Sequence, residues 1–332
     1  FRRVLFRSGH GHPGVVGAGE AVRIFTGAPI PAGADAVVIQ ENARRDGDGV
    51  VIDEVAVAGR HIRRAGVDFR EGEVGIAAGT RLGFTHLGLV AAMNHGEVPV
   101  RRRPRVAILA TGDELVPPGT LPGPDQIVAS NGAGVAALVE SAGGEVIDLG
   151  IVVDDLDLIR AAVARGFATG ADVLVTLGGA SMGDHDLVHA ALSAEGVDFG
   201  FWKIAMRPGK PLMYGRRGPA RVLGLPGNPA AAMVCSVIYL APLVRALAGF
   251  ADPIPTPETA ILAGEVAAND HRQDYLRASL EIDGAGRLVA RPVDHQDSSL
   301  LSRVARADAL VIRPPHAPPA AAGEICRVLR LV

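Results

Sequence analysis

Aromatic residues are scarce, 4% of 332 positions with a single tryptophan. That leaves too little ring surface for the stacking platforms of single-stranded nucleic-acid binders. Cysteine is almost absent: Cys235 and Cys326 lie in apolar runs, without metal-ligand spacing. Their placement argues against a disulfide framework or a zinc cluster and points to buried thiols in a reducing compartment. No sign of charge dominates, the net being -3 from 33 basic and 36 acidic residues. With no basic field to attract nucleic acid, any anion site must be local. No uninterrupted apolar stretch of about 18 residues is present to cross a bilayer. The chain therefore reads as soluble and cytosolic, with neither nucleic acid nor membrane as a partner.

What is present is a large apolar fraction, 48% against 21% charged, punctuated by 42 glycines and 23 prolines. These fall between periodic apolar runs, so they mark turns rather than low complexity. The length predicts two or three domains. The opening FRRVLFRS, Phe1 to Ser8, is cationic and apolar but has no signal-peptide core or cleavage site. It reads as a foreign extension fused to a truncated reading frame, an expectation that a continuous native frame through Ser8 would overturn.

The most informative stretch is DVLVTLGGASMGDHD, Asp172 to Asp186. Val173 to Leu177 has the composition of a strand buried on both faces. Gly178, Gly179 and Gly183 let successive N–H groups point at an anion, and Ser181, Asp184 and Asp186 add polar groups. A tight strand-to-helix turn fits a lone GGxSxG equally well. The company it keeps decides between them.

From Gly14 to His61 the pattern predicts short strands: Ala21 to Phe25, Ala36 to Gln40, and Val50 to Val57 after a hairpin turn at Asp46 to Gly49. Thr26 sits in a proline-stiffened TGAPIP loop, which is either a ligand loop or a rigid surface turn. Arg63 and Arg64 beside Asp68 fit a solvated ion pair or an oxyanion clamp. A helix is predicted over Thr85 to Asn94, and RRRPR at 101–105 reads as a hinge.

Beyond the hinge, strands and helices alternate. Strands are expected at Val106 to Ala110, Glu145 to Leu149, Asp172 to Leu177 and Phe199 to Ala205. Helices are expected at Asn131 to Ala142, Leu156 to Arg165, Asp186 to Ala194 and Ala230 to Ala246. That alternation implies a parallel sheet covered on both faces, with ligands at the strands' carboxyl ends. Those ends carry Asp113 and Glu114, then Asp154 and Asp155, then the glycine loop. The nearby RPGKP segment brings Lys203, Arg207 and Lys210, and LPGNP, with Pro226 and Pro229, opens the long helix. Carboxylates facing cations suit a polyanionic ligand with magnesium, although Asp154 also fits a helix cap. His185 and His189 lack a third zinc ligand nearby, and Cys235 reads as inert core. After a proline-rich linker at 251–257, short strands return.

TGAPIP, IRRAGVD, ATGDEL, LGGASMGDHD, FWKIAMRPGKP and LPGNP occur in this order, from Thr26 to Pro229. Together they resemble the molybdopterin molybdenumtransferase (MoeA) family, whose eukaryotic relative is the gephyrin E domain. The resemblance covers roughly Ala21 to Val332. It implies an α/β fold: a three-layer molybdopterin-binding domain with a mostly parallel sheet, a β-rich lid, an elongated connecting domain and a small C-terminal β domain. On this chain the expected divisions are 1–62 (extension and lid), 63–103 (part of the connecting domain), 104–250 and 251–332.

The implied reaction takes adenylylated molybdopterin and molybdate, releases AMP and uses magnesium. The implied partners are a second copy in a homodimer and molybdopterin adenylyltransferase. By motif, Asp186, Asp154, Lys203, Glu114 and Asp68 are the expected catalytic residues, with Asp154, Asp186 and Glu114 as magnesium ligands. Thr26, Arg63, Gly178, Gly179, Ser181, Arg207, Lys210, Pro226, Pro229 and Ser298 are the expected substrate contacts, Ser298 being the weaker because Asp297 stands where the family usually has glycine. Arg207 stands where the family often has lysine, and the family's DGYA-type motif is missing. Alternatives are the adenylyltransferase, which shares the GGxSxG-type loop, and a molybdopterin-binding fragment without turnover.

Overall fold

In the computed structural model, residues 9–179 and 186–331 are described. The chain divides into two compact units, one ending at Ile76 and the other running from Ala77. In the first, β1 (Ala43–Asp46) and β2 (Gly49–Ile52) form an antiparallel hairpin. Asp46 pairs with Gly49, which leaves Gly47 and Asp48 as the two-residue turn; Gly47 supplies the positive φ of 60° that such a turn demands. The strands expected at Ala21 to Phe25 and Ala36 to Gln40 do not form. The first keeps a single bridge residue, Ile24, and the second is irregular up to the 3-10 turn that begins at Gln40. Pro31 is the one buried residue among those described in this unit.

The second unit begins with helix α1 (Phe84–Ala92). It continues as β3 (Arg105–Thr111), a short parallel pair of β4 (Leu115–Val116) and β5 (Ile127–Val128), α2 (Asn131–Ser141), β6 (Glu145–Val152), α3 (Leu156–Ala168), β7 (Val173–Leu177) and α4 (Leu187–Ala194). Then follow β8 (Asp198–Trp202), β9 (Met206–Arg207), β10 (Met213–Arg217), β11 (Ala220–Leu225), α5 (Pro229–Cys235) and α6 (Ala241–Leu247). The C-terminal elements are β12 (Glu258–Leu262), β13 (Gln273–Ile282), β14 (Leu288–Pro292), α7 (Leu301–Val304), β15 (Ala309–Arg313) and β16 (Ile325–Arg330).

The main sheet runs β6-β3-β7-β11-β10-β8. β6, β3, β7 and β11 pair in parallel, and every residue of β7 is buried. Alternation along the strands builds the layers: Val106, Ile108, Val173 and Val175 pack with Val135, Val139, Val234 and Val244 on one face. Ala107, Leu109 and Leu174 pack with Ile159, Ala162, Val163 and Val188 on the other. The apolar face of α3 repeats at Ile159, Ala162, Val163 and Gly166, the helical spacing that turns one stripe inward. The expected three-layer, mostly parallel α/β architecture is therefore present. β10 departs from it, running antiparallel to both β11 and β8.

The long helix after LPGNP is not uniform. Five residues, Ser236–Leu240, form a π turn between α5 and α6. By length and hydropathy alone, Pro229–Leu247 could cross a membrane. Here Ala230, Val234, Cys235, Leu240 and Val244 are instead buried in the α/β core.

β14, β12, β16, β15 and β13 pair in sequence, and β13 pairs back with β14, closing a small barrel. Its interior is filled by small or branched residues such as Ala260, Ala278, Ala290, Ala309, Val311 and Val328, which suit a narrow barrel. β9 adds to it in parallel alongside β13, so a segment of the α/β domain is stitched into the C-terminal sheet.

Candidate active site

The carboxyl ends of the parallel strands open into a cavity of about 1070 Å³. Each strand end supplies part of the wall: Thr111 ends β3 and Glu114 lies just past it, Asp154 follows β6, Gly178 and Gly179 follow β7, and Pro226 to Pro229 follow β11. Gly178 and Gly179 have positive φ values of 93° and 65°. A Cβ at 178 would meet the Thr111 carbonyl at 2.5 Å, and one at 179 would meet Val188 at 2.1 Å. Only glycine lets the backbone pass between β3 and α4 at this point.

The acids are placed by short local contacts. The Asp154 N–H donates to Asp113 Oδ1 at 3.0 Å. The α3 cap is Asp155, whose Oδ1 accepts the Leu158 N–H at 2.9 Å. Asp154 is thus free of the capping role its sequence also allowed, and it faces the cavity. Burial, and then the neighbouring charges of Asp113 and Glu114, hold its carboxyl above the ordinary carboxylate range.

Asp186 does cap a helix: its Oδ1 accepts the His189 N–H at 2.9 Å at the start of α4. Its second oxygen is buried with no partner among the described residues, and burial raises this carboxyl too, against the pull of the nearby His189 and Lys203. It is not among the residues lining the cavity.

The cations are held differently. Lys203 has a positive φ of 76°, and its Nζ lies 4.5 Å from the centre of the Trp202 ring. Trp202 in turn stacks on His189 at 4.4 Å, as does Phe199. Arg207 is committed to Asp274 through two hydrogen bonds, Nε to Oδ1 at 3.0 Å and Nη2 to Oδ2 at 2.5 Å. Lys210 is exposed and its side chain has no partner among the described residues. Cys235 is fully buried, and burial pushes its thiol up to about 12, which removes it as a nucleophile near neutral pH.

Three family descriptions cover this chain: the MoeA N-terminal region (domain I and II) at residues 3–94, a probable molybdopterin binding domain at 107–246, and the MoeA C-terminal region (domain IV) at 259–331. The molybdopterin molybdenumtransferase of Nostoc sp. is 36% identical over 301 residues, covering 89% of this chain and 69% of that protein. The chain belongs to the MoeA family. The Haemophilus influenzae molybdopterin molybdenumtransferase is 35% identical over 308 residues, covering 92% of this chain and 76% of the relative. A crystal structure of the Pyrococcus horikoshii molybdopterin biosynthesis MoeA protein superposes with a TM-score of 0.82 at 30% identity, over 99% of this chain and 80% of that one. One Mycobacterium tuberculosis relative is matched over only 65% of its length, so the chain is shorter than the MoeA proteins it resembles.

Among the residues expected from the MoeA motifs, the cavity gathers Glu114, Asp154, Gly178, Gly179, Pro226 and Pro229. Ser298 stands beside it: its Oγ accepts from Asn228 Nδ2 at 3.0 Å, and its carbonyl accepts the Ala230 N–H at 2.9 Å. Thr26, Arg63 and Asp68 are exposed residues of the first unit. Ser181 lies outside the described residues, as do Gly183, Asp184 and His185. Among the described residues no group of three or more His, Cys, Asp or Glu side chains is arranged to share a metal. Asp154, Glu114 and Asp186 are therefore not assembled as a three-carboxylate set, because capping holds Asp186 at α4. Arg207, expected as a substrate contact, pairs through Nε and Nη2 with Asp274.

Sequence reasoning passed over Thr111, Asn131 and Asn228. Asn131 Nδ2 donates to the Gly227 carbonyl at 2.7 Å, tying the start of α2 to the LPGNP loop. The available signal was SN at a loop-to-helix junction, where such residues usually act as caps.

Proposed function

We propose that this chain transfers molybdenum from molybdate to adenylylated molybdopterin with release of AMP, the last step of molybdenum cofactor synthesis. The observation that carries this reading is the cavity at the strand ends, where Glu114 and Asp154 face a glycine turn in a chain of the MoeA family. Other MoeA proteins are named molybdopterin molybdenumtransferases, and that name comes to this chain as part of the proposal.

Magnesium fits the donor chemistry. It usually takes one or two carboxylates and completes its shell with water and substrate phosphates, and Glu114 and Asp154 both line the cavity. Burial, and then the charges of Asp113 and Glu114, raise the Asp154 carboxyl, which fits a place where a cation would offset gathered negative charge. These two residues would hold the ion, which when bound offsets charge on phosphate oxygens. Lys203 and Lys210 would hold the remaining anionic groups, including the tetrahedral oxyanion. The glycine turn brings backbone close to the ligand without a side chain between. Such fixed charges and dipoles stabilise the developing charge of phosphoanhydride cleavage, so neither Ser nor Cys need attack.

The same reading extends to a homodimer, a cytoplasmic location and contact with the adenylyltransferase that supplies the substrate. Support for a subunit contact comes from α1, where Phe84 and Leu87 are 88% and 54% exposed and no residue is buried. The deciding experiment follows AMP release from adenylylated molybdopterin with magnesium, with and without molybdate. Molybdate-dependent release is expected. Ligand retention without release would leave a binding fragment and overturn the catalytic reading.

A further inference from the structure

The segment from Lys203 to Leu212 is a closed loop with its own backbone ties. The Lys203 N–H donates to the Leu212 carbonyl at 3.0 Å, and the Ile204 N–H to the Lys210 carbonyl at 2.9 Å. Its tip leaves the α/β sheet altogether: Met206 and Arg207 pair with Gln273 and Asp274 of the barrel, and the Gln273 N–H donates to the Ala205 carbonyl at 2.9 Å. Gly209, at φ 111°, backs directly onto the core, since a Cβ there would lie 2.4 Å from Cys235 Sγ and 2.5 Å from Met206 Cε. Lys203 and Lys210 stand at the base of this loop, on either side of the anchored tip.

The anchor is an unequal ion pair. Asp274 is 4% exposed, whereas the Arg207 side chain is 47% exposed. A carboxylate so deeply buried requires its partner, and the two parallel hydrogen bonds of a guanidinium fix direction as well as charge. A lysine could reach one oxygen but not span both. The nearby Asp270 does not substitute, because its own oxygens are occupied by Arg272, at 2.6 Å for the shortest bond.

We propose that Asp274 is a positioning residue: its carboxylate, carried by the C-terminal barrel, clamps Arg207 and so holds Lys203 and Lys210 in the geometry that receives the anionic groups of the substrate. This rests on the function proposed above only for the identity of the ligand. The clamp itself is a property of the free protein.

The test is Asp274→Asn, which keeps the volume and removes the charge. A bond to a charged partner lost here is expected to raise KM for adenylylated molybdopterin roughly tenfold, with a smaller change in kcat. In the ligand-free protein, amide exchange across 203–212 should accelerate while β7 and β11 keep their protection. Exchange and KM both unchanged would overturn the proposal. Tighter substrate binding would also overturn it, since Asp274 would then only be muting the Arg207 charge. Should wild-type protein release no AMP, the functional reading fails, yet the exchange comparison still decides the clamp. Should Asp274→Asn fail to fold, Arg207→Lys retains the positive charge and loses the fork. It too must loosen 203–212, and normal exchange in that variant sinks the idea.

Discussion

Asp154 and Lys203 bring opposite charges to the same proposed chemistry, but the molecule supports them by different means. The acid sits two residues beyond a strand of the parallel sheet, where α3 and the β3–β6 ladder fix the backbone and the neighbouring Asp113 accepts its N–H. The lysine sits on a loop that no helix follows, held by Trp202 beneath it and by the barrel at its tip. Placement by a sheet edge is local and stiff. Placement by a loop shared between two sheets depends on contacts far along the chain, so it is the more easily disturbed.

The largest expected effect tests the acid side. Asp154→Asn should lower kcat/KM for molybdate-dependent AMP release by about 10²–10³-fold, the usual cost of removing one preorganised electrostatic group. Its melting temperature should not fall, since the carboxylate is strained by its neighbours rather than structural. Near-normal turnover would remove Asp154 from the site. Next, Lys203→Ala is expected to weaken substrate binding by roughly 10-fold to 100-fold, as for a lost charge-assisted contact. Steady-state kinetics would show this chiefly in KM. An effect confined to kcat would instead assign Lys203 to the reacting centre.

A stability effect sharpens the same contrast. Gly209→Ala places a Cβ against Cys235 and Met206 and is expected to cost about 1–3 kcal/mol, by overpacking and by the left-handed backbone. Urea denaturation monitors this directly, and an unchanged midpoint would show that the loop yields freely. The smallest effect concerns pH. The Asp154 carboxyl is raised by burial and then by Asp113 and Glu114, so activity that needs its ionised form falls as pH drops through that raised value. Asp113→Asn removes one repelling charge, which lowers the Asp154 value and moves the acid limb of the profile to lower pH. A limb that stays in place would mean another group controls it.

Several features were legible because they are local. The run VLVTL reads as a doubly buried strand from five consecutive residues, and it is the most deeply buried strand of the sheet. Asp46-Gly47-Asp48-Gly49 reads as a hairpin turn from chirality alone. The acids could be placed at strand ends because alternating strands and helices leave few other topologies. What stayed hidden spans long separations: Arg207 and Asp274 are 67 residues apart, and Asn131 and Gly227 are 96. Neither pair leaves a periodic mark. Ala21 to Phe25 failed for a related reason: its apolar pattern suited a strand, but a strand also needs a neighbour, and within this stretch only Ile24 makes a bridge.

By itself, then, the order of residues determined the layered α/β core, the hairpin and the glycine turn, because hydrophobic periodicity and backbone chirality act over a few neighbours. Tertiary structure alone decided which aspartate caps α3 and which faces the cavity. It also turned Arg207 from a free cation into an anchor, and it drew two residues of the α/β domain into the C-terminal sheet. Those outcomes depend on which groups meet after the chain has folded, when a buried carboxylate must find its cation wherever the packing brings one.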